Sequence, residues 1–404
     1  MKGHPVSSIP FYASVLLERF AYYGLRSLFV VFLIDEISNC SKYNALNIYA
    51  LGTSVMALSY LLGGLLGMLG KPKIMALVGT GLQFVGALCI AFSQVKEPVF
   101  VGFIIISIGT GVGRPNAVAF LGQLFNRSKL LDSAMMIHYL MINLGAMIGT
   151  TIMVVVSVKY GYQQGFLLCA LAFAGSFVAF YLSSVDATKK VEKRKQPNAY
   201  IPIVIVLSII GASIFWLSFG YISGNLSSSH EFFNNAAIRE LIFEESWTIN
   251  SLVIIMLTIG LAVYFSFFKV ATTLQIGIGF GCAALSMLFL FQVDFDNPIN
   301  SSLSSILIGF YILQTIAEVF LGPPINSYVV RKINIMFSPL ILAGFYFISM
   351  LISKIPLNWD VEYFPLTLKI FMRIMLIGAG IFFTLFIIDR RNTNYQNSQL
   401  VDDI

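Results

Sequence analysis

The sequence predicts an all-α membrane protein with twelve transmembrane helices arranged as two six-helix bundles. Of its 404 residues, 57% are hydrophobic and only 11% are charged, whereas a soluble domain carries about 25% charged residues. Apolar runs of about 20 residues, long enough to cross the hydrocarbon core of a bilayer, recur along the chain. These runs lack the two-residue alternation of a barrel strand, and open strands would leave backbone groups unpaired in lipid. Helices are therefore the predicted spanning elements.

Twelve spans can be assigned in order along the chain. The first six are residues 10–34, 44–69, 74–94, 98–124, 132–157 and 164–185. The second six are residues 199–222, 248–268, 271–293, 302–329, 335–354 and 366–389. The most polar internal stretch separates these two sets and is rich in Lys and Arg. We therefore expect an N-terminal six-helix bundle over 1–185, a basic cytoplasmic linker over 186–198, and a C-terminal bundle with a short cytoplasmic tail over 199–404.

The positions of Lys and Arg in the loops predict the orientation, because these residues are enriched on the cytoplasmic side. With the N-terminus in the cytoplasm, the inner loops hold most of the 25 Lys and Arg residues. The outer loops hold five: Lys42, Lys96, Lys159, Arg239 and Lys354. Both termini are thus predicted to be cytoplasmic, in a multi-pass protein of a bacterial inner (plasma) membrane. The same distribution explains the net charge of +6 without a nucleic-acid partner.

Ionisable side chains within the predicted spans are candidate functional residues, because an unpaired charge in hydrocarbon is costly. Arg26, Arg114 and Glu318 lie on three different spans, each within about 6 Å of the midpoint at a rise of 1.5 Å per residue. Three charges at one depth predict a polar cavity. Three other charged residues lie near span ends and are expected to reach water: Asp35, Asp132 and Lys369.

The first span also carries a polar stripe. Arg19, Tyr22, Tyr23 and Arg26 fall within an arc of about 100° on a helix, and Glu18 flanks that arc. Such a face would line an aqueous pocket and offer phenol groups to a ligand. The alternative is a structural ion pair between Glu18 and Arg19 with interfacial tyrosines.

Prolines and glycines predict kinked or closely packed helices. Pro115 follows Arg114, so the fourth span should be kinked there, and Pro323-Pro324 should interrupt the tenth span. The glycine-rich strings at 109–113 and 277–281 lack the complete dinucleotide fingerprint and the P-loop lysine. We therefore expect these glycines to serve helix packing.

Two polar residues in the fifth span admit two interpretations each. Asn143 is either a pocket residue or an amide bridge between closely packed helices, and His138 is either a packing residue or a proton relay. No nucleophile with a base, metal-ligand cluster or phosphate-binding loop is apparent in the sequence. The sequence therefore predicts neither an enzyme nor a bound cofactor or metal.

Four strings resemble signatures of the proton-dependent oligopeptide transporter (POT/PTR) family of the major facilitator superfamily. They are Glu18–Arg26 in the first span, Gly109–Asn116 in the fourth, His138–Ala146 in the fifth and Thr315–Pro323 in the tenth. Phe215-Trp216 resembles the start of the family's helix 7 motif. The strings occur in order and at family-like spacing, so the chain is identified as a short and divergent member. The resemblance implies the major facilitator fold.

The resemblance also implies roles for individual residues. Arg26 and Arg114 would hold the carboxylate of a peptide, and Glu318 would hold its amino group. Asn143 and Asn250 would bond the peptide backbone. From the polar stripe of the first span, we also predict that Tyr22 and Tyr23 line the pocket and that Glu18 and Arg19 form a coupling or gating ion pair.

Two departures from the family pattern bear on proton coupling. The first-helix acid is Val15 here, and the helix 7 glutamate falls at Gly220 or Tyr221. Coupling needs a carboxylate whose pKa changes as solvent access and ion pairing change. Glu318 and Glu18 are the remaining candidates.

These observations predict an alternating-access importer of di- and tripeptides or peptide-like zwitterions, with protons as a possible second partner. Two alternatives stay open. One is a facilitator of a different small organic anion or amphiphile that is not coupled to protons. The other is a membrane receptor or assembly partner that binds a ligand without transporting it.

Overall fold

The structure, a computed structural model, describes residues 4–37, 40–125, 130–185, 200–228, 246–292, 303–353 and 364–402. Twelve α-helices occupy these ranges. The first six are α1 (Ser8–Asp35), α2 (Lys42–Leu69), α3 (Pro72–Ala91), α4 (Lys96–Phe125), α5 (Leu131–Tyr160) and α6 (Tyr162–Leu182). The other six are α7 (Tyr200–Ser228), α8 (Ser246–Phe267), α9 (Thr272–Leu290), α10 (Leu303–Lys332), α11 (Ser338–Ile352) and α12 (Phe364–Asp402).

Each predicted span coincides with one helix, so the all-α prediction is confirmed over the described residues. Ten of these helices are long and apolar enough to cross a membrane. The two others are α1, which carries Glu18, Arg19 and Arg26, and α11, which has 15 residues. That α1 and α11 also cross the bilayer stays a prediction. The basic linker at 186–198 lies outside the described residues.

Contacts between helices divide the chain into two units. The first contains Met1–Ile201, Leu261–Ser266 and Val329–Leu351, and the second contains Pro202–Gly260, Phe267–Tyr328 and Ile352–Ile404. The first unit thus includes α1 to α6 together with most of α11 and short segments of α8 and α10. The predicted division into bundles over 1–185 and 199–404 stays a prediction.

Helix packing in the first unit depends on aromatic residues and on glycines. The α1 helix packs against α5 and α6, and Phe29 on α1 stacks on Phe103 of α4 with ring centroids 4.1 Å apart. The α3 and α4 helices touch where Gly79 faces Gly109, and again where Gly86 faces Gly102. A side-chain carbon at Gly79 would lie 2.5 Å from the Gly109 carbonyl oxygen, which shows that the two backbones are in contact.

The glycine-rich strings have the packing role that the sequence predicts. In α4, Gly109 abuts α3, and Gly111 lies against Ser59 of α2. In the second unit, α9 packs against α12, and Gly279 lies against Leu321 of α10. The prediction is therefore confirmed at these positions. Gly281 differs, because a side-chain carbon there would meet open space.

The prolines do not break their helices. Pro115 lies inside α4, which runs unbroken from Lys96 to Phe125. The prediction that Pro323-Pro324 interrupts the tenth span is wrong, because α10 continues through both prolines to Lys332. Each proline removes only one backbone hydrogen bond, and neighbouring helices help membrane helices to tolerate that loss. Next to Pro115, the Asn116 Nδ2 donates to the Val112 carbonyl at 2.8 Å.

Candidate functional site

Arginine and tyrosine side chains of α1 and α4 meet in the first unit. We call this group the cationic cluster and define it as Arg19, Tyr22, Tyr23, Arg26 and Arg114. The centroid of the Tyr22 ring lies 5.6 Å from Arg19 Cζ and 5.7 Å from Arg114 Cζ, within the range of cation–π attraction. Tyr23 packs edge-on against Tyr22 at a centroid distance of 5.4 Å. The structure thus places the predicted stripe of α1 beside the predicted charge of α4.

Arg114 is held in this position by a second phenol. Its Nη1 donates a 3.0 Å hydrogen bond to the Tyr60 hydroxyl on α2. The Tyr60 ring in turn lies 5.5 Å from the Tyr346 ring on α11. Sequence reasoning missed Tyr60, because an isolated tyrosine in an apolar span carries no signal of the helix that it faces.

Arg26 lies at the open side of the cluster. Its Cζ is 5.8 Å from the centroid of the Tyr49 ring on α2, and its side chain is exposed. Arg26 is the most exposed residue of the cationic cluster. If α1 crosses the bilayer as predicted, this guanidinium faces a hydrated space, because hydrocarbon would exclude it.

Glu18 and Arg19 form the ion pair that the sequence offered as an alternative to direct ligand contacts. Arg19 Nε lies 2.6 Å from Glu18 Oε2, and both side chains are largely buried. The other carboxylate oxygen of Glu18 accepts a 2.7 Å hydrogen bond from Gln83 Nε2 on α3. Gln83 also donates to Thr110 Oγ1 of α4 at 2.9 Å. Sequence reasoning missed Gln83, although an amide in the middle of an apolar span is itself a signal of a buried partner.

The cationic cluster carries more positive than negative charge. Glu18 is paired with Arg19, whereas Arg26 and Arg114 form no ion pair with any carboxylate in the described part of the chain. The close contacts described above for these two arginines are with tyrosines, which are neutral. Within the same ranges, no group of three or more His, Cys, Asp or Glu side chains is placed to hold a metal ion.

The two polar residues of α5 differ in their contacts, because Asn143 bonds within its own helix and His138 contacts α1. Asn143 Nδ2 donates to the carbonyl of Tyr139 in its own helix at 2.9 Å, so this amide hydrogen is not available for a bridge to another helix. The helices α1 and α5 are nevertheless closely packed near Asn143. A side-chain carbon at Gly145 would lie 2.5 Å from the Leu16 carbonyl oxygen of α1. His138 is buried and stacks on Phe11 with centroids 5.9 Å apart. This contact fits the packing interpretation.

Two predicted site residues belong to the second unit. Asn250 Oδ1, on α8, accepts a 2.7 Å hydrogen bond from Thr315 Oγ1 on α10. Glu318 lies one turn after Thr315 on the same helix and is half-buried. The hydroxyl of Thr315 therefore connects Asn250 to the helix that carries Glu318.

The expectation for Asp132 is also wrong. Asp132 was expected to reach water, but it is 4% exposed and lies 2.8 Å from Arg331 Nη2 at the end of α10. The expectation used distance from the span end along α5, whereas the end of α10 covers this carboxylate in space. The next residue, Ser133, is buried against α8, donating to the Ala262 carbonyl at 2.7 Å and contacting His4 Nε2 at 3.3 Å.

The apolar helices and the cationic cluster between them define a polytopic membrane protein. The family model described as POT family matches residues 48–251, about half of the chain. The chain belongs to this family.

Sequence relatives agree with this assignment. A di-/tripeptide transporter of Lactococcus lactis is 25% identical over 228 residues, which cover 52% of this chain and 46% of that protein. The uncharacterized transporter YclF of Bacillus subtilis is 27% identical over 188 residues, which cover 45% of this chain and 38% of YclF. The matched stretches thus span less than half of these relatives' own lengths.

Solved structures show the same fold. A mutant of peptide transporter POT matches with a TM-score of 0.60 at 16% identity, covering 95% of each chain. The human organic anion transporter MFSD10 matches with a TM-score of 0.60 at 14% identity, covering 95% of this chain and 99% of that one. At these identities the likeness concerns the fold.

Proposed function

We propose that this protein is an alternating-access importer of di- and tripeptides or peptide-like zwitterions. The observation that carries the proposal is the pair Arg26 and Arg114, which form no ion pair among the described residues and sit beside phenols on membrane helices. A charged group at such depth is retained only where it has a partner or a task. Transport of peptides by relatives of the POT family supports the choice of substrate.

In this proposal the two ends of the peptide bind to opposite charges. Arg26 and Arg114 bind the carboxylate through charge-assisted hydrogen bonds, which are the strong ones in a site of low dielectric constant. Glu318 binds the amino group. The remaining lining residues of the proposed site are Tyr22, Tyr23, Asn143 and Asn250. Binding the termini leaves the side chains loosely selected, which suits a carrier of many peptides.

The Glu18–Arg19 pair is proposed to act in coupling or gating. A proton on Glu18 would weaken its attraction to Arg19, and a proton on Glu318 would release the amino group of the substrate. Either event would link protonation to a conformational change. Val15 and Gly220 stand where the family pattern has acids. Glu18 and Glu318 are therefore the remaining candidates for proton coupling.

Uptake of a labelled dipeptide into proteoliposomes, with and without an imposed pH gradient, tests the proposal. We expect Glu318→Gln to abolish uptake without loss of folded protein. Glu97→Gln is the matched control, because Glu97 is an exposed carboxylate in the first turn of α4. Full uptake by Glu318→Gln would remove the proposed role of this residue.

A second candidate is a facilitator of another small organic anion without proton coupling. It is favoured by the same two guanidinium groups and by the acids missing from the family pattern. Dipeptide uptake that a pH gradient does not accelerate, combined with inhibition by simple organic anions, would select this candidate. Ligand binding without flux under any gradient would instead support a non-transporting receptor.

We also propose that both termini are cytoplasmic and that the membrane is the bacterial inner membrane. The loops before α3 and before α4 then lie on opposite sides. In a cysteine-free background, an impermeant maleimide applied to intact cells should label Lys96→Cys, whereas Lys71→Cys should react only after permeabilisation. The reverse pattern would invert the proposed orientation.

A further inference from the structure

The charges of the cationic cluster do not balance, and the imbalance bears on which substrates fit. Three guanidinium groups face one carboxylate, Glu18, among the described residues of the first unit that make up the cluster and its direct contacts. The aromatic rings of Tyr22 and Tyr49 attract cations. They carry no charge, however, and therefore do not neutralise Arg26 or Arg114.

Glu18 is not free to neutralise either of these arginines by closer contact. One carboxylate oxygen is 2.6 Å from Arg19, and the other accepts from Gln83. Gln83 is itself 2% exposed and is also bonded to Thr110. Turning Glu18 toward Arg114 would leave buried polar groups without partners, which is costly.

The neighbouring turn of α1 adds no negative charge. Val15 lies four residues before Arg19, on the same side of the helix, and it is 7% exposed. An apolar side chain thus occupies the position from which an acid would pair with Arg19 and release Glu18. The surplus positive charge is therefore built into the packing of α1.

A neutral dipeptide does not remove this surplus. Its carboxylate offsets one of the two guanidinium groups and leaves the other without a counter-charge. That guanidinium group then remains unpaired in a site that has lost water, and an unpaired buried charge is unfavourable. A substrate with one more carboxylate restores the balance.

We infer that this transporter selects anionic peptides, those that carry an aspartate or glutamate side chain, over neutral peptides of the same shape. Arg26 and Arg114 together bind the two carboxylates of such a substrate. The inference rests on the proposed function, since it names the substrate class of the same site.

Two labelled dipeptides, Ala-Glu and Ala-Gln, test the inference because they differ in charge but hardly in shape. Their apparent affinities for uptake are measured in proteoliposomes at neutral pH, with the membrane potential clamped and no pH gradient. We expect Ala-Glu to bind about tenfold or more tightly than Ala-Gln, the range of a charge-assisted hydrogen bond. Equal affinities would overturn the inference and leave the proposed function standing. Uptake of neither peptide would overturn both.

Variants of Arg26 test whether this residue causes the preference for Ala-Glu over Ala-Gln. Arg26→Gln should reduce the ratio of the two affinities to near one, whereas Arg26→Lys, which keeps the charge, should retain most of it. Lys159→Gln removes a positive charge at the exposed end of α5 and should leave the ratio unchanged. A ratio that survives in folded Arg26→Gln would overturn the inference. If that variant does not fold, the ratio in the unmodified protein decides alone.

Discussion

Gln83 and Glu18 join α3 to α1 through a 2.7 Å hydrogen bond from an amide to a carboxylate. The amide is 2% exposed, and the carboxylate is simultaneously paired with Arg19. A hydrogen bond to a charged group in such a place is worth more than one between neutral groups. Gln83 is therefore a residue on which the geometry of the cationic cluster depends.

Replacing Gln83 by Met should destabilise the protein by about 2 kcal/mol, because it removes the amide donor while keeping the volume. Glu18 would lose one of its two partners. The free energy of unfolding in detergent measures the change. Gln94→Met, at an exposed position outside the helices, is the control and should be close to neutral. Equal stability of the two variants would show that the bond contributes little.

Asp132→Leu should cost about 3 kcal/mol, because it removes the charge that faces Arg331 at 2.8 Å. The double variant Asp132→Leu, Arg331→Met should recover at least half of that loss, since an apolar pair leaves no charge behind. Thermal and denaturant unfolding of the single and double variants provides the measurement. Additive losses in the double variant would contradict the expected coupling.

Gly145→Ala should be strongly destabilising, because its new carbon would lie 2.5 Å from the Leu16 carbonyl oxygen and force α1 away from α5. Gly281→Ala is the matched control. Its new carbon meets open space, and alanine is about 1 kcal/mol better than glycine inside a helix. We therefore expect opposite signs in the change of melting temperature. A harmless Gly145→Ala would show that α1 and α5 are not in backbone contact.

Stability should fall as the pH is lowered below the ordinary pKa of histidine, and His4 should contribute to this fall. Burial lowers the pKa of His4 from its usual value of 6.5. The unfolded chain therefore takes up a proton at a higher pH than the folded chain does. The free energy of unfolding decreases as pH falls through this window. His4→Gln should lose less stability than the unmodified protein between about pH 7 and pH 5. Parallel pH profiles would exclude this contribution.

The helices could be predicted closely from the sequence, because the thickness of a bilayer fixes the length of an apolar run and lipid forbids unpaired backbone. The charged residues inside the predicted spans were a second source of information. Arg26 and Arg114 lie on helices far apart in sequence, and a count along each span predicts that both lie near one level, which stays a prediction. The structure adds that Tyr22 lies beside both Arg19 and Arg114.

Contacts between helices could not be predicted in the same way. Hydropathy gives the length and depth of a helix but neither its neighbours nor its rotation. Gln83 and Tyr60 were therefore missed as partners of Glu18 and Arg114. Asp132 was misjudged for the same reason, because its burial depends on where the end of a distant helix lies.

The two places where the backbones of α3 and α4 touch limit how these two helices can move. The two helices are in backbone contact at two points, Gly79 with Gly109 and Gly86 with Gly102. Because they are in contact at two points along their length, α3 and α4 cannot slide or twist at one contact without disturbing the other. We therefore expect Arg114 to move together with both α3 and α4, so that its distance to a ligand changes through motion of this pair relative to other helices.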